Sequence, residues 1–308
     1  LSGCATIHLG PDYNAPLQEQ VLETSPEAQG KVLLISIEGT ISNQPSSGFL
    51  QQAPGLLDSV VMQLKKAAKD PDIKTVLLRV NSPGGGVTAS DLLYHELMQF
   101  KQQTGKAIFV QMLDVAASGG YYLSLAADHI QASPTTLTGS VGVITILPNV
   151  TSLSDKMGLE VKTYTSGASK DIGSPFRKSL PSDDVYLQAL VDAMAQRFYG
   201  LLTQHRSVNA AQLAEIKTAK VFLGQQALEA GLVDSIGYLT GAADQACELG
   251  GGKRCDLVSY RLTKNQNATA YSPTLKGQAK LPELSLIRSN LLSNLLDLAP
   301  GHYYLYLP

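Results

Sequence analysis

Charged residues are scarce in this chain. They make up 16% of 308 positions, against about 25% in an ordinary soluble domain. With 44% hydrophobic residues beside them, wholesale disorder is excluded. Positive charge is not in excess either: 24 Lys and Arg against 26 Asp and Glu give a formal charge of −2. The basic face of a nucleic-acid binder is therefore not expected, and no nucleic acid is assigned as a partner. No uninterrupted apolar run reaches the length of about 18 residues that reads as a membrane-spanning helix. The five histidines (His8, His95, His129, His205 and His302) are scattered and fit no metal-ligand spacing. No metal and no cofactor is expected. No repeat at a solenoid period is present.

Cysteines are also few, three in all. The chain opens Leu1-Ser2-Gly3-Cys4. Two small residues before a cysteine resemble the lipobox of bacterial lipoproteins, in which the cysteine becomes the lipidated first residue. The resemblance implies lipidation at Cys4 and a lipid-anchored protein of the bacterial cell envelope, facing the periplasm or the exterior. Cys247 and Cys255 flank Gly250-Gly251-Gly252. A glycine-rich loop can bring two such cysteines into bonding distance, and in an exported protein a disulfide is the default reading. Two independent buried thiols are the alternative. A zinc site needs more ligands than this stretch offers.

What is present is an alternation of short apolar runs with helical periodicities. Lys31–Ile37, Ile73–Val80, Ala107–Leu113, Val141–Leu147, Val161–Thr165 and Leu257–Leu262 read as strands. Helices are expected over 55–69, after Thr88 (a cap with Asp91 three residues on), from Ser118 through Leu125, and over Leu153–Met157. The longest is expected from Ser182, with Leu187, Leu190, Val191, Met194, Phe198, Leu201 and Leu202 at the 3.6-residue period. Shorter helices follow near 209–216, 224–230 and 240–249. The expected class is α/β with largely parallel sheets. Residues 1–30 read as a lipobox remnant and flexible linker, 31–262 as the folded domain, and 263–308 as a C-terminal tail. The tail carries an amphipathic segment over 284–298 with Arg288 as its one cation. That favours docking in a neighbouring subunit's groove over lying on a lipid surface.

Three segments can carry chemistry. In Ala116-Ala117-Ser118-Gly119-Gly120-Tyr121-Tyr122 a serine sits among small residues where a strand gives way to a helix. Free N–H groups and the positive dipole end at a helix start would stabilise a developing oxyanion. A serine cap beside packing glycines is the bland alternative. In Asn81-Ser82-Pro83-Gly84-Gly85-Gly86 three glycines after a strand expose N–H donors, and the Lys-Ser/Thr of a phosphate-binding loop is absent. In Ser166-Gly167-Ala168-Ser169-Lys170-Asp171-Ile172-Gly173-Ser174-Pro175 a lysine sits in a loop. A lone loop lysine is ordinarily a solvated charge, because a lysine base must be neutral and that takes burial or positive surroundings.

Together with Thr138-Gly139-Ser140-Val141-Gly142-Val143, these segments resemble the signal peptide peptidase A family of serine–lysine peptidases, over about residues 31–260. The resemblance implies a Clp-protease/crotonase-like fold of repeated β-β-α units. It implies Ser118 as nucleophile, Lys170 as general base, the N–H groups of Gly85 and Gly119 as an oxyanion hole, and Ser140 as the group orienting the lysine. Serine and lysine in one repeat resemble the family's short layout, whose members form homo-oligomeric rings at the membrane. Implied substrates are remnant signal peptides or other membrane-proximal peptides, bound by strand addition beside Gly85 in small apolar pockets suited to small and aliphatic side chains. The lipid anchor and the tail depart from the family's commonest pattern. Three rivals stand beside this reading. One is a Ser-His-Asp triad using His129. Another is a crotonase-type acyl-CoA enzyme, and the third is a non-catalytic membrane-associated scaffold of the same fold.

Overall fold

A computed structural model of the chain describes residues 15–44, 46–47, 52–272 and 301–306. Cys4 and the amphipathic segment 284–298 lie outside them. In chain order the first elements are β1 (Gln18–Glu23), β2 (Lys31–Glu38), the short pair β3 (Ser46–Ser47) and β4 (Gln52–Ala53), α1 (Leu56–Lys69), β5 (Ile73–Ser82) and β6 (Gly84–Gly86). Next come α2 (Val87–Thr104), β7 (Ala107–Ala117), α3 (Gly119–Ser124), β8 (His129–Ala132), β9 (Leu137–Gly139), β10 (Ile144–Ile146) and α4 (Thr151–Lys156). The rest are α5 (Pro181–His205), α6 (Ala210–Ile216), β11 (Val221–Leu223), α7 (Gly224–Glu229), β12 (Ser235–Ile236), α8 (Leu239–Leu249), β13 (Asp256–Arg261) and β14 (Gly301–Leu305).

The main sheet runs β1-β13-β2-β5-β7-β8-β12, with β9 beside β7 and β11 beside β9. Pairings from β13 through β12 are parallel, as are those of β7 with β9. A central parallel strand is covered on both faces and so reads as a continuous apolar run. β2 is such a strand: Leu33, Ile35 and Ile37 belong to one core, while Val32 and Leu34 belong to a second core against α8. The class is α/β with a mostly parallel sheet, as the sequence leads one to expect.

Several local expectations give way. Residues 18–23 are not linker: β1 pairs antiparallel with β13 at the sheet edge, and Gln20 is buried against Asn265. Val161–Thr165 forms no strand and is exposed. Of Val141–Leu147 only β10 is strand. Thr88 does not cap α2, which already begins at Val87 after Gly86. The long helix α5 begins at Pro181, and Asp183 rather than Ser182 closes its start by accepting the Leu180 N–H (3.0 Å).

Arg79 on β5 is 1% exposed. Glu38 on β2 pairs with it, and the carbonyls of Ala270 and Ser272 accept from it. This buried cation fastens the segment after β13 to the sheet. Cys247 at the end of α8 and Cys255 before β13 are joined by a disulfide. Among the described residues no helix is long and apolar enough to cross a membrane.

Candidate active site

Ligands in open α/β sheets gather at the carboxyl ends of the strands. Here β5 ends at Ser82 and β7 at Ala117, and the chain enters α3 through Ser118. Ser118 has φ 52° and ψ −113°, a backbone conformation rare for a residue with a side chain. Its N–H donates to Gly139 O (2.8 Å) and its carbonyl accepts from Tyr122 N–H (2.8 Å). Its hydroxyl is buried and has no hydrogen-bond partner among the described residues. An unsatisfied buried hydroxyl costs about 1–3 kcal/mol, and so does such a backbone. Two unfavourable features thus fall on one residue at a strand end.

The neighbouring small residues are required by space. A Cβ on Gly119 would lie 2.4 Å from Ser90 Oγ, and one on Gly120 would lie 2.8 Å from Ser82 O. Across from them, β6 is held by Ile41, whose N–H donates to Gly84 O (2.8 Å) and whose carbonyl accepts from Gly86 N–H (3.0 Å). Backbone groups of successive residues in an extended strand face opposite sides. The N–H and C=O of Gly85 therefore face away from Ile41, toward β14.

That side is occupied by the chain itself. β14 lies between β6 and β10, antiparallel to both. Tyr303 stands opposite Gly86, Tyr304 opposite Gly85 and Leu305 opposite Gly84, and Tyr306 N–H donates to Pro83 O (2.7 Å). Antiparallel ladders alternate bonded and non-bonded pairs, so Tyr304 and Gly85 form a bonded pair two residues from that contact. The Tyr304 carbonyl is tightly enclosed. A Cβ on Gly84 (φ +102°) would lie 2.1 Å from this oxygen and 2.7 Å from Gly119 N, and one on Gly119 would lie 3.1 Å from the same oxygen. A main-chain carbonyl thus sits against Gly84, Gly85 and the start of α3, beside the serine.

The Tyr304 ring is fully buried. It stacks on Tyr122 (centroids 4.8 Å, 23°), meets Phe198 of α5 edge-on (5.0 Å, 61°), and its hydroxyl donates to Met194 O (3.0 Å). Burial pushes the Tyr304 hydroxyl above its ordinary range, with Asp91 adding to the effect. Tyr122 is itself fixed: its hydroxyl donates to Asp91 (2.6 Å), which Arg197 also grips (2.6 Å).

Ser140 (φ 49°) follows Gly139, the acceptor for Ser118, and its N–H donates to Lys220 O (2.9 Å). Ser118 with Gly119, Gly85, and Ser140 thus come from three segments to one end of the sheet. Lys170 does not join them. It lies on an exposed loop, and its ammonium has no hydrogen-bond or ion-pair partner among the described residues. Arg177 ties that loop to α5 through Asp171 (2.9 Å) and Asp183. Apolar side chains around the loop are uncovered, including Met157, Tyr164, Phe176 and Leu180.

His129 is committed elsewhere. It bonds Ser235 Oγ (2.7 Å) and stacks on Phe109 (4.8 Å), and burial lowers its pKa. Among the described residues no cluster of three metal-ligating side chains occurs. Reading the sequence missed Gly84, the Tyr122–Phe198 pocket and the role of Tyr304. The one available signal was the tyrosine-rich end of the tail.

The profile of Peptidase family S49 matches residues 100–251, which contain Ser118, Ser140 and Lys170. The chain is 35% identical over 244 residues to a protein named putative signal peptide peptidase SppA from Enterococcus faecium, covering 79% of this chain and 70% of that one. It is 35% identical over 221 residues to Protease 4 of Haemophilus influenzae, covering 71% of this chain but 35% of the relative. It is 28% identical over 232 residues to the chloroplastic serine protease SPPA of Arabidopsis thaliana, covering 74% of this chain and 34% of the relative. The chain thus spans about a third of the length of the latter two.

Proposed function

The chain belongs to peptidase family S49, and from that premise we propose that it is a serine endopeptidase working through a Ser118–Lys170 dyad. In this reading the neutral Lys170 amine takes the Ser118 proton as Oγ attacks the substrate carbonyl. The oxyanion is held by the N–H groups of Gly85 and Gly119. Collapse breaks the C–N bond, the lysine proton goes to the leaving amine, and water then hydrolyses the acyl-serine. Ser140 orients the lysine. The observation that carries the reading is the buried, unpartnered Ser118 hydroxyl on a strained backbone, beside a main-chain carbonyl lodged against Gly84 and Gly119.

Remnant signal peptides and other membrane-proximal peptides are the proposed substrates, entering as a strand where β14 now lies. Lipidation at Cys4 would tether the protein to the cell envelope, facing the periplasm or exterior. The uncovered apolar side chains around Lys170 support assembly into a homo-oligomeric ring in which a second copy covers that loop from water, the condition a lysine base requires. One observation favours the alternative of a non-catalytic scaffold, namely the absence of any Lys170 contact with Ser118.

The test is hydrolysis of an internally quenched signal peptide in mild detergent by wild type, Ser118→Ala and Lys170→Ala. Loss of cleavage in both variants, each with an unchanged melting profile, supports the dyad. Cleavage that survives Lys170→Ala removes the base assignment, and an inactive wild type makes the scaffold reading the better one.

A further inference from the structure

Ser82 ends β5 with no exposed surface, and its hydroxyl makes two hydrogen bonds to backbone on either side of the candidate oxyanion strand. We infer that Ser82 is a positioning residue, a clasp between two turns that together aim the Gly85 N–H at the reacting carbonyl. The inference rests on the reading of Ser118 as nucleophile and Gly85 as an oxyanion donor, and adds the group that sets the direction of that donor.

The first turn is Ser82-Pro83-Gly84. A residue before proline is kept in the extended region, and proline brings no N–H of its own. The Gly84 N–H is therefore the first donor after β5, and Gly84 is buried. Ser82 Oγ accepts that N–H at 3.1 Å, at the residue where the backbone turns to φ +102°. The second turn is at Gly39, also left-handed (φ +71°). A Cβ there would meet nothing within 4 Å, so packing does not fix this turn. Hydrogen bonds do: the Gly39 N–H donates to Asn81 O (3.0 Å), and its carbonyl accepts from Ser82 Oγ (2.7 Å).

Both turns bear on Gly85. Two residues after Gly39, Ile41 donates to Gly84 O and accepts from Gly86 N–H, so it brackets Gly85. The contact is close, since a Cβ on Gly85 would lie 2.1 Å from Ile41 O. The Gly85 N–H is left on the far side of the strand, toward the groove. Its direction depends on where Gly84 turns and where Ile41 sits, and one oxygen of Ser82 ties both. Alanine at 82 would leave the buried Gly84 N–H without its acceptor and the Gly39 carbonyl without its donor. Both turns would then gain freedom. An oxyanion donor works by being held in place beforehand, and its hydrogen bond weakens steeply as the angle falls.

The experiment uses the full chain, a quenched peptide that it cleaves, and a peptide boronic acid. The boronic acid bonds to a serine Oγ and sets one oxygen at the oxyanion donors. Wild type, Ser82→Ala and Ser82→Thr are compared by kcat, KM and the inhibitor's Ki. Outright loss of an oxyanion donor costs about 100- to 1,000-fold in kcat, so a misdirected one should cost about 30-fold in Ser82→Ala, with KM within about twofold. Ki should rise by about the same factor as kcat falls, and Ser82→Thr, which keeps the hydroxyl, should recover most of both. The tail competes alike with peptide and inhibitor, so it cancels from Ki/KM. A merely structural loss lowers the active fraction, and with it kcat, but leaves Ki/KM unchanged. An unchanged Ki/KM in a Ser82→Ala chain that still cleaves through Ser118 overturns the clasp while the nucleophile stands. If Ser82→Ala does not fold, Ser82→Cys, whose sulfur is a weak acceptor, is read by the same ratio. Absence of Ser118-dependent cleavage by wild type overturns both.

Discussion

Tyr304→Ala should free the groove. On the proposed reading the tail strand occupies the place a peptide needs, and its anchor is the Tyr304 ring. Burying such a ring contributes about 1.5–3 kcal/mol. Its two aromatic contacts add about 0.5–1.5 kcal/mol and its hydroxyl about 1 kcal/mol. The alanine variant keeps the backbone ladder to β6 and β10 but loses these terms, about 4 kcal/mol, or roughly three decades in the tail's hold. Self-competition raises the apparent KM for an added peptide and leaves kcat alone. The variant should therefore lower KM by about tenfold or more at unchanged kcat, read from initial rates over a peptide concentration series. A thermal melt on the same samples separates this from loss of fold, since Tyr304 also belongs to the main core. An unchanged or higher KM in a folded variant would refute the reasoning, because the strand would then be structure rather than a competitor.

Gly84→Ala should abolish cleavage by 100-fold or more: its Cβ would enter the space of the bound carbonyl 2.1 Å from the oxygen, at a φ of +102°. Wild-type kinetics in that variant would remove the carbonyl site from Gly84. Replacing both Cys247 and Cys255 by serine should cost about 2.5 kcal/mol for a loop this short, a fall of roughly 5–10 °C in Tm by calorimetry. Asp70 should contribute to acid stability. Burial pushes its carboxyl up, but the Asp72 N–H and Lys31 outweigh burial and hold it below the usual carboxylate range. A depressed carboxyl stabilises the fold above its unfolded pKa of about 3.9, and that contribution is lost as pH falls through the folded value. Urea melts from pH 6 down to 2 should therefore show the gap between wild type and Asp70→Asn closing as pH drops below about 4.

Much of the site was legible because its chemistry is local. The small residues around Ser118 and the three glycines after β5 announce close backbone approach, and the structure requires Gly84, Gly85, Gly119 and Gly120 by contacts under 3 Å, whereas Gly86 has room for a side chain. The apolar runs of β2, β5 and β7 were legible because burial on both faces leaves few polar positions, Arg79 and Gln111 among the buried exceptions. What escaped depends on partners distant in sequence. β1 is polar and half exposed, so only its pairing with β13 makes it a strand. Val161–Thr165 alternates like a strand but finds no neighbour to pair with. The Tyr304 pocket joins residues from α3, α5 and the tail, a conjunction that no local pattern encodes. Lys170 was singled out by motif alone, and its loop stands apart from Ser118 in this single chain.

The central claim is that Ser118 is an activated nucleophile, and covalent labelling tests it most directly. The Tyr304→Ala chain, with its groove freed, would be incubated with a fluorophosphonate and digested for mass spectrometry. One adduct, on the peptide carrying Ser118, is expected, and it should vanish with Ser118→Ala and weaken strongly with Lys170→Ala. No adduct, or one that persists without Ser118, would contradict the account.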